Sequence, residues 1–70
     1  MTYVDTIAQV AAEHRLSKAD LTGPCRLRYV CQARWEAMRR LRDKGLPLSA
    51  IGRLLNRDHT TVLYGLRKAG

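Results

Sequence analysis

The 70-residue chain has no phenylalanine, one tryptophan and three tyrosines, and it carries only two cysteines and two prolines. Without phenylalanine, its core must come from aliphatic side chains and methionine, packed closely enough to make up for their small size. Cys25 and Cys31 are too few for the disulfide framework of a short secreted domain. With only His14 and His59 beside them, they match no zinc spacing and are expected as reduced thiols packed like small apolar groups. No apolar run approaches the ~18 residues of a membrane span, and no signal-peptide pattern opens the chain. Acidic residues are scarce too: six, against 13 Lys and Arg, for a formal charge of +7 and a sequence pI near 10.3. A chain this short makes one domain that buries only roughly 60% of its unfolded surface. That excludes a Rossmann sheet, a barrel or a nucleotide-hydrolysing domain. The apolar share of 46% still suits a folded chain.

The charge is uneven. Up to residue 25, Arg15 and Lys18 face Asp5, Glu13 and Asp20, a net of −1; from residue 26 onward the balance is +8. Ten of the 13 basic residues are arginines, whose planar forks suit guanine and phosphate. A solvated cationic surface would also use such residues. The confinement of the excess to part of a short chain favours a polyanionic partner.

Every segment reads as helix, and none alternates as a strand. Val4, Ile7, Ala8, Val10 and Ala11, with His14 or Arg15, trace a helical stripe, and Thr2 with Asp5 resembles a cap at its start. Leu16 closes that helix. Ser17 with Asp20 repeats the capping signal for a short turn ending near Leu21, before Thr22-Gly23-Pro24 breaks the chain. The longest candidate runs from about Leu27 to Lys44, with Val30, Arg34, Ala37, Met38 and Leu41 on one face. Tyr29 and Trp35 are expected to bridge core and surface, and Arg34 to be buried and hydrogen-bonded. Gly45 and Pro47 end this helix. Leu48, Ile51, Leu54 and Leu55 form a short amphipathic run; Asn56 tolerates a left-handed turn; Asp58 caps a last helix through Val62, Leu63, Leu66 and Ala69.

The last two segments have the proportions of a helix-turn-helix over about residues 48–68. Ile51 and Leu55 should meet Val62 and Leu66, with Gly52 placed where the helices approach. In that geometry the start of the second helix enters the major groove of a duplex. It carries Asp58, His59, Thr60 and Thr61, short polar side chains that reach base edges, and backbone N–H groups that receive phosphate.

The run Arg57-Asp58-His59-Thr60-Thr61-Val62-Leu63, with Ile51-Gly52-Arg53 upstream, resembles the C-terminal DNA-binding domain of the bacterial replication initiator DnaA. Weaker matches follow it over nearly the whole chain: Val4, Ile7 and Val10; Ala19-Asp20-Leu21; Arg26-Leu27-Arg28; Ala33-Arg34. Pro47 stands where the family commonly has serine and Tyr64 where it commonly has histidine. The turn is one residue shorter, with Asn56 in place of a glycine pair. The resemblance implies a small all-α domain over residues 1–70, with a C-terminal, Trp-repressor-like helix-turn-helix. It implies base contacts from Asp58, to a cytosine amino group, and from His59, Thr60 and Thr61, with Arg26 reaching into the adjacent minor groove. It implies phosphate contacts from Arg28, from Leu48 and Ser49 through their backbone, and from Arg53 and Arg57, the last alternatively a partner of Asp58. The initiator's ATPase has no place in these residues.

Alternatives stand beside these roles. Asp58 can serve as the N-cap only, since one carboxylate cannot fully cap and fully bond a base at once. Asp58 beside His59 lacks the nucleophile of a catalytic pair, so no enzymatic activity and no cofactor are expected. Arg39, Arg40 and Arg42 are either a solvated face or part of the electrostatic footprint. The expected function is sequence-specific duplex binding by a cytoplasmic, nucleoid-associated protein, as a small transcription regulator or a phage-type accessory factor. The alternative is modulation of replication initiation, through sites like DnaA boxes or through contacts with a transcription or replication protein. No membrane and no small-molecule substrate is implied.

Overall fold

The computed structural model describes residues 3–69 as five helices: α1 Tyr3–Glu13, α2 Lys18–Thr22, α3 Arg28–Asp43, α4 Leu48–Leu55 and α5 His59–Ala69. The fold is all-α, as the helical spacing anticipates, and the boundaries fall within a residue or two of those read from the sequence. The Thr2–Asp5 cap involves Thr2, which lies outside the described residues. The Ser17–Asp20 capping box forms in both directions: the Asp20 amide donates to Ser17 Oγ at 3.2 Å, and the Ser17 amide to Asp20 Oδ2 at 2.9 Å.

Three helices end in the same way. Arg15, Gly45 and Asn56 adopt positive φ values of 57°, 94° and 56°. Each donates its amide three residues back, and the next residue donates five back, from Leu16 to Ala11, Leu46 to Leu41 and Arg57 to Gly52. This is the Schellman arrangement, which uses the last free carbonyls of a helix. The residue after the left-handed turn then folds back over the helix. Leu46 does so as a core residue and Leu16 as a half-buried one packed against the core, whereas the third such position holds Arg57.

The core joins Ile7, Val10, Leu21, Val30, Met38, Leu41, Ile51, Leu55 and Val62, all essentially inaccessible, around the alanines of α3. Some sequence expectations need correction. On α1 the buried face is Thr6, Ile7, Val10 and Ala11, whereas Val4 is 42% exposed and Ala8 is also exposed. The apolar residues of α1 span a wide arc, and packing against α2 and α3 centres the helix on Ile7 and Val10. Tyr29 is exposed, and so is the apolar Leu63 of α5. Trp35 does straddle core and surface, meeting Tyr64 edge to face with ring centroids 6.3 Å apart. Beside that pair α3 and α5 come together at Gly65, where an added Cβ would strike Met38 Sδ and Trp35 Cδ1. Gly65, not Gly52, is therefore the helix–helix contact glycine.

Arg34 is the charged residue of the interior, 5% exposed. Its Nε donates to Leu21 O at 2.7 Å, and its Nη2 is shared among Asp20 O, Gly23 O and Cys25 O at 3.2, 3.4 and 3.0 Å. One guanidinium thus holds the whole passage from α2 into α3. Cys31 Sγ lies 3.7 Å from Nη1, and both cysteines are free, half-buried thiols. Roughly half a turn around α3 from Arg34 lies an ion-pair network. Arg40 reaches Glu13 at 2.6 Å and Glu36 at 2.8 Å; Arg39 reaches Glu36 at 2.7 Å and Asp43 at 2.9 Å. These pairs tie the end of α1 to α3 and commit Arg39 and Arg40 internally. Arg42 donates to Leu46 O at 2.8 Å.

Replacing Arg34 with methionine keeps bulk and leaves the loop carbonyls without their donor. We expect a loss of ~2–4 kcal/mol out of a total near ~4–10 kcal/mol for a chain of this length. Urea denaturation measures it, and a loss under ~1 kcal/mol would refute the clamp. The ion-pair network predicts an acid dependence. The hydrogen bond from Arg39 holds the Glu36 carboxyl below its ordinary 4.5, and the bond from Arg40 does the same for Glu13. A depressed carboxylate stabilises the fold above its unfolded pKa and loses that contribution as pH falls through the folded value. The melting temperature of the protein should therefore fall as pH drops below 4.5, and less steeply in Glu36→Gln. Superimposable pH profiles for the two proteins would rule the network out as a source of stability.

Candidate nucleic-acid interface

Helices α4 and α5 pack against each other across Asn56, Arg57 and Asp58. The turn closes because Asn56 takes the left-handed conformation, which its short amide side chain tolerates. It also needs Gly52. A Cβ there would collide with the carbonyl oxygen of Arg57, while the Arg57 amide donates to Gly52 O at 2.7 Å. The sequence reading gave Gly52 a helix–helix role; its constraint is instead the backbone of the turn.

Asp58 sits at the head of α5 with its carbonyl accepting from the Val62 amide at 3.1 Å. Its carboxylate accepts the Thr60 hydroxyl at 3.2 Å and lies 3.0 Å from His59 Nδ1. The Thr60 hydroxyl, followed by the amides of His59 and Thr60, holds the carboxyl of Asp58 below its ordinary value. The Asp58 carboxylate thus bonds a side chain in the first turn of α5, and its ionised form is the favoured one. The order of the groups is wrong for nucleophilic catalysis, because the carboxylate, not the imidazole, holds the hydroxyl. The side chains of Asp58 and His59 are 67% and 65% exposed, and Thr60 and Thr61 are exposed too. This short run presents a carboxylate, an imidazole and two hydroxyls to solvent from the first turn of one helix.

Arg57 departs from its expected placement. It is half-buried and does not pair with Asp58, whose carboxylate lies against His59 Nδ1. Its Nη1 donates to Leu55 O at 3.2 Å and Asn56 O at 3.0 Å, and across the chain to Thr22 O at 3.4 Å. Its Nη2 donates to Gly23 O. Burial, with the nearby Arg34 charge, lowers its pKa. Two guanidiniums therefore reach the α2–α3 loop, Arg34 from α3 and Arg57 from the turn.

Two grooves flank that turn. One is lined by Ser49 and Arg53 of α4 together with Arg57, Asp58 and His59. The other runs between the loop, with Pro24, Cys25 and Arg26, and the start of α5 at Thr61, with Arg34 and Arg57 also in its wall. Asn56 borders both, a position read from the sequence only for its backbone. Arg28, Leu48 and Thr60 lie outside both linings. Arg26 and Arg28 are exposed, as are Ser49 and Arg53. Leu48 turns its side chain toward the core, so only its backbone is free to meet a ligand. The first turn of α4 has no side-chain cap. Among the described residues, no group of three His, Cys, Asp or Glu could hold a metal ion, and no helix is long and apolar enough to cross a membrane.

Comparison with known proteins matches this arrangement. A family model described as the bacterial dnaA protein helix-turn-helix covers residues 4–69. The chain is 49% identical over 61 residues to the chromosomal replication initiator protein DnaA of Thermomicrobium roseum, an alignment covering 84% of this chain and 13% of that protein. Against the DnaA of Clavibacter sepedonicus it is 45% identical over 67 residues, 93% of this chain and 14% of that protein. With the DnaA of Cereibacter sphaeroides the identity is 39% over 70 residues, 93% of this chain and 15% of the relative. The chain thus spans only about one-seventh of these relatives' length. By the extent of these matches, the chain belongs to the bacterial DnaA helix-turn-helix family.

Proposed function

We propose that this domain binds duplex DNA sequence-specifically, with the start of α5 in the major groove. The observation that carries the proposal is the exposed run of Asp58, His59, Thr60 and Thr61 in the first turn of the second helix of a helix-turn-helix. Its donors and acceptors suit base edges. In this reading Asp58 accepts from a cytosine amino group, His59 and Thr60 meet base edges or thymine methyls, and Thr61 takes a base or a phosphate. Arg26, exposed on its loop, enters the neighbouring minor groove. Arg28 and Arg53 lie along the backbone, and the uncapped amides of Leu48 and Ser49 receive phosphate. Asp58 would accept the base donor with the same carboxylate that accepts the Thr60 hydroxyl.

The role we assign is that of a small regulator of transcription or a phage-type accessory factor. A second reading, occupancy of sites like DnaA boxes to modulate replication initiation, draws support from the relatives, which are named as chromosomal replication initiators. Selection of bound duplexes from a random pool at physiological salt tests the proposal. We expect enrichment of one short sequence. His59→Ala and Thr60→Ala should then each weaken binding to it by ~1–3 kcal/mol, with little change on a scrambled duplex. Equal losses on both duplexes would overturn base reading, and a pool with no enriched sequence would favour a protein partner.

A further inference from the structure

Arg57 stands where two parts of the domain meet. Its guanidinium bonds the turn at Leu55 O and Asn56 O, and the distant loop at Thr22 O and Gly23 O. Arg34 bonds the same loop from α3 and shares Gly23 O with it. No carboxylate is among the partners of either group in these bonds, so backbone carbonyls, with the Cys31 sulfur beside Arg34, hold two like charges close together. That is a costly arrangement for a thin core, and it has one clear geometric result. The loop bearing Arg26 is tied to α3 by Arg34 and to the helix-turn-helix by Arg57, and a groove lies between Arg26 and Thr61.

We infer that Arg57 is a positioning residue, a brace that sets the distance and angle between the Arg26 loop and the start of α5. This rests on the duplex-reading function proposed above. If α5 occupies a major groove and Arg26 the adjacent minor groove, one sugar–phosphate strand must cross between them. The groove between Arg26 and Thr61 is where it passes, and the brace holds that gap open at a fixed width. The fork of arginine matters because it reaches the loop with two nitrogens, Nη1 at Thr22 O and Nη2 at Gly23 O, while also bonding Leu55 O and Asn56 O; a lysine has one nitrogen with three donors for these four carbonyls.

Arg57→Lys, which keeps the charge, tests the brace in two ways. Backbone order parameters from nitrogen relaxation report on the loop without DNA. In the parent protein the amides of Gly23, Cys25, Arg26 and Leu27 should sit near ~0.85, and in Arg57→Lys fall below ~0.6, while α1 and α3 stay rigid. A loop that remains rigid, or a loss of order spread over all helices, overturns the brace. The second readout uses the duplex enriched from a random pool. Arg57→Lys should bind it about tenfold more weakly with unchanged affinity for a scrambled duplex. Arg26→Ala, which weakens binding in the parent background, should add little in the Arg57→Lys background. If Arg26→Ala keeps its full effect there, Arg57 does not act through the loop. If Arg57→Lys binds both duplexes as the parent does, a simple charge contact replaces the brace. A pool that enriches nothing overturns the duplex-reading function and the specificity role together, while the order parameters still decide whether the brace exists.

Discussion

The buried guanidinium of Arg34 is the constraint on which the site depends. A charge removed from water needs partners, and Arg34 finds them in the carbonyls of Asp20, Leu21, Gly23 and Cys25. Those carbonyls must therefore point inward. Once they do, Pro24, Arg26 and Leu27 are left facing out, and the loop becomes a platform for a basic side chain. The same arrangement fixes where α3 begins, and α3 packs against α1, α2, α4 and α5. A domain with few core residues thus uses a buried guanidinium to order a segment whose Pro24 and Leu27 stay exposed and whose Cys25 is only half-buried.

Much of this was legible in the sequence, and the failures have physical causes. Helix periodicity, the Ser17–Asp20 box and the left-handed turn at Asn56 are local signals, decided within a few residues, and they survive folding. The buried place of Arg34 was legible too, because its position falls on the apolar face of the longest helix. The face of α1 was not: its apolar residues cover too wide an arc for spacing alone to choose among them, and packing chose. Gly52 was placed between the helices but is crowded by the backbone of the turn, and Gly65, which meets Met38 and Trp35, drew no reading, since a glycine in a helix gives no sign of whether backbone or side chain crowds it.

Arg57 is the instructive miss. Beside Asp58 and ahead of the polar run that opens α5, it reads as an exposed cation, available to phosphate. Its conformation is set by the residue before it. The left-handed Asn56 turns the chain back over α4, as Arg15 and Gly45 turn it at the ends of α1 and α3. Leu16 and Leu46 occupy the equivalent positions and pack inward. An arginine in a position that elsewhere buries leucine should be expected to point inward and seek carbonyls. That comparison between helix ends was available in the sequence, and it needed the turns to be recognised as one motif.

The distribution of charge follows from the same packing. Of the six carboxylates, Glu13, Glu36 and Asp43 are engaged with Arg39 and Arg40, on the side of α3 away from Arg34. Asp20 is engaged in capping α2. Internal pairing thus draws negative charge away from the turn and loop, where Arg26, Arg28 and Arg53 stay exposed. Asp58 is the one carboxylate in the linings of the two grooves there. In the duplex-reading function proposed above, a field of one sign with a single carboxylate in it would do two different things: the cations would attract a polyanion without regard to sequence, while the carboxylate would repel phosphate and gain only where it finds a base donor. On that proposal the basic excess would supply affinity, and the scarce acid at Asp58 discrimination.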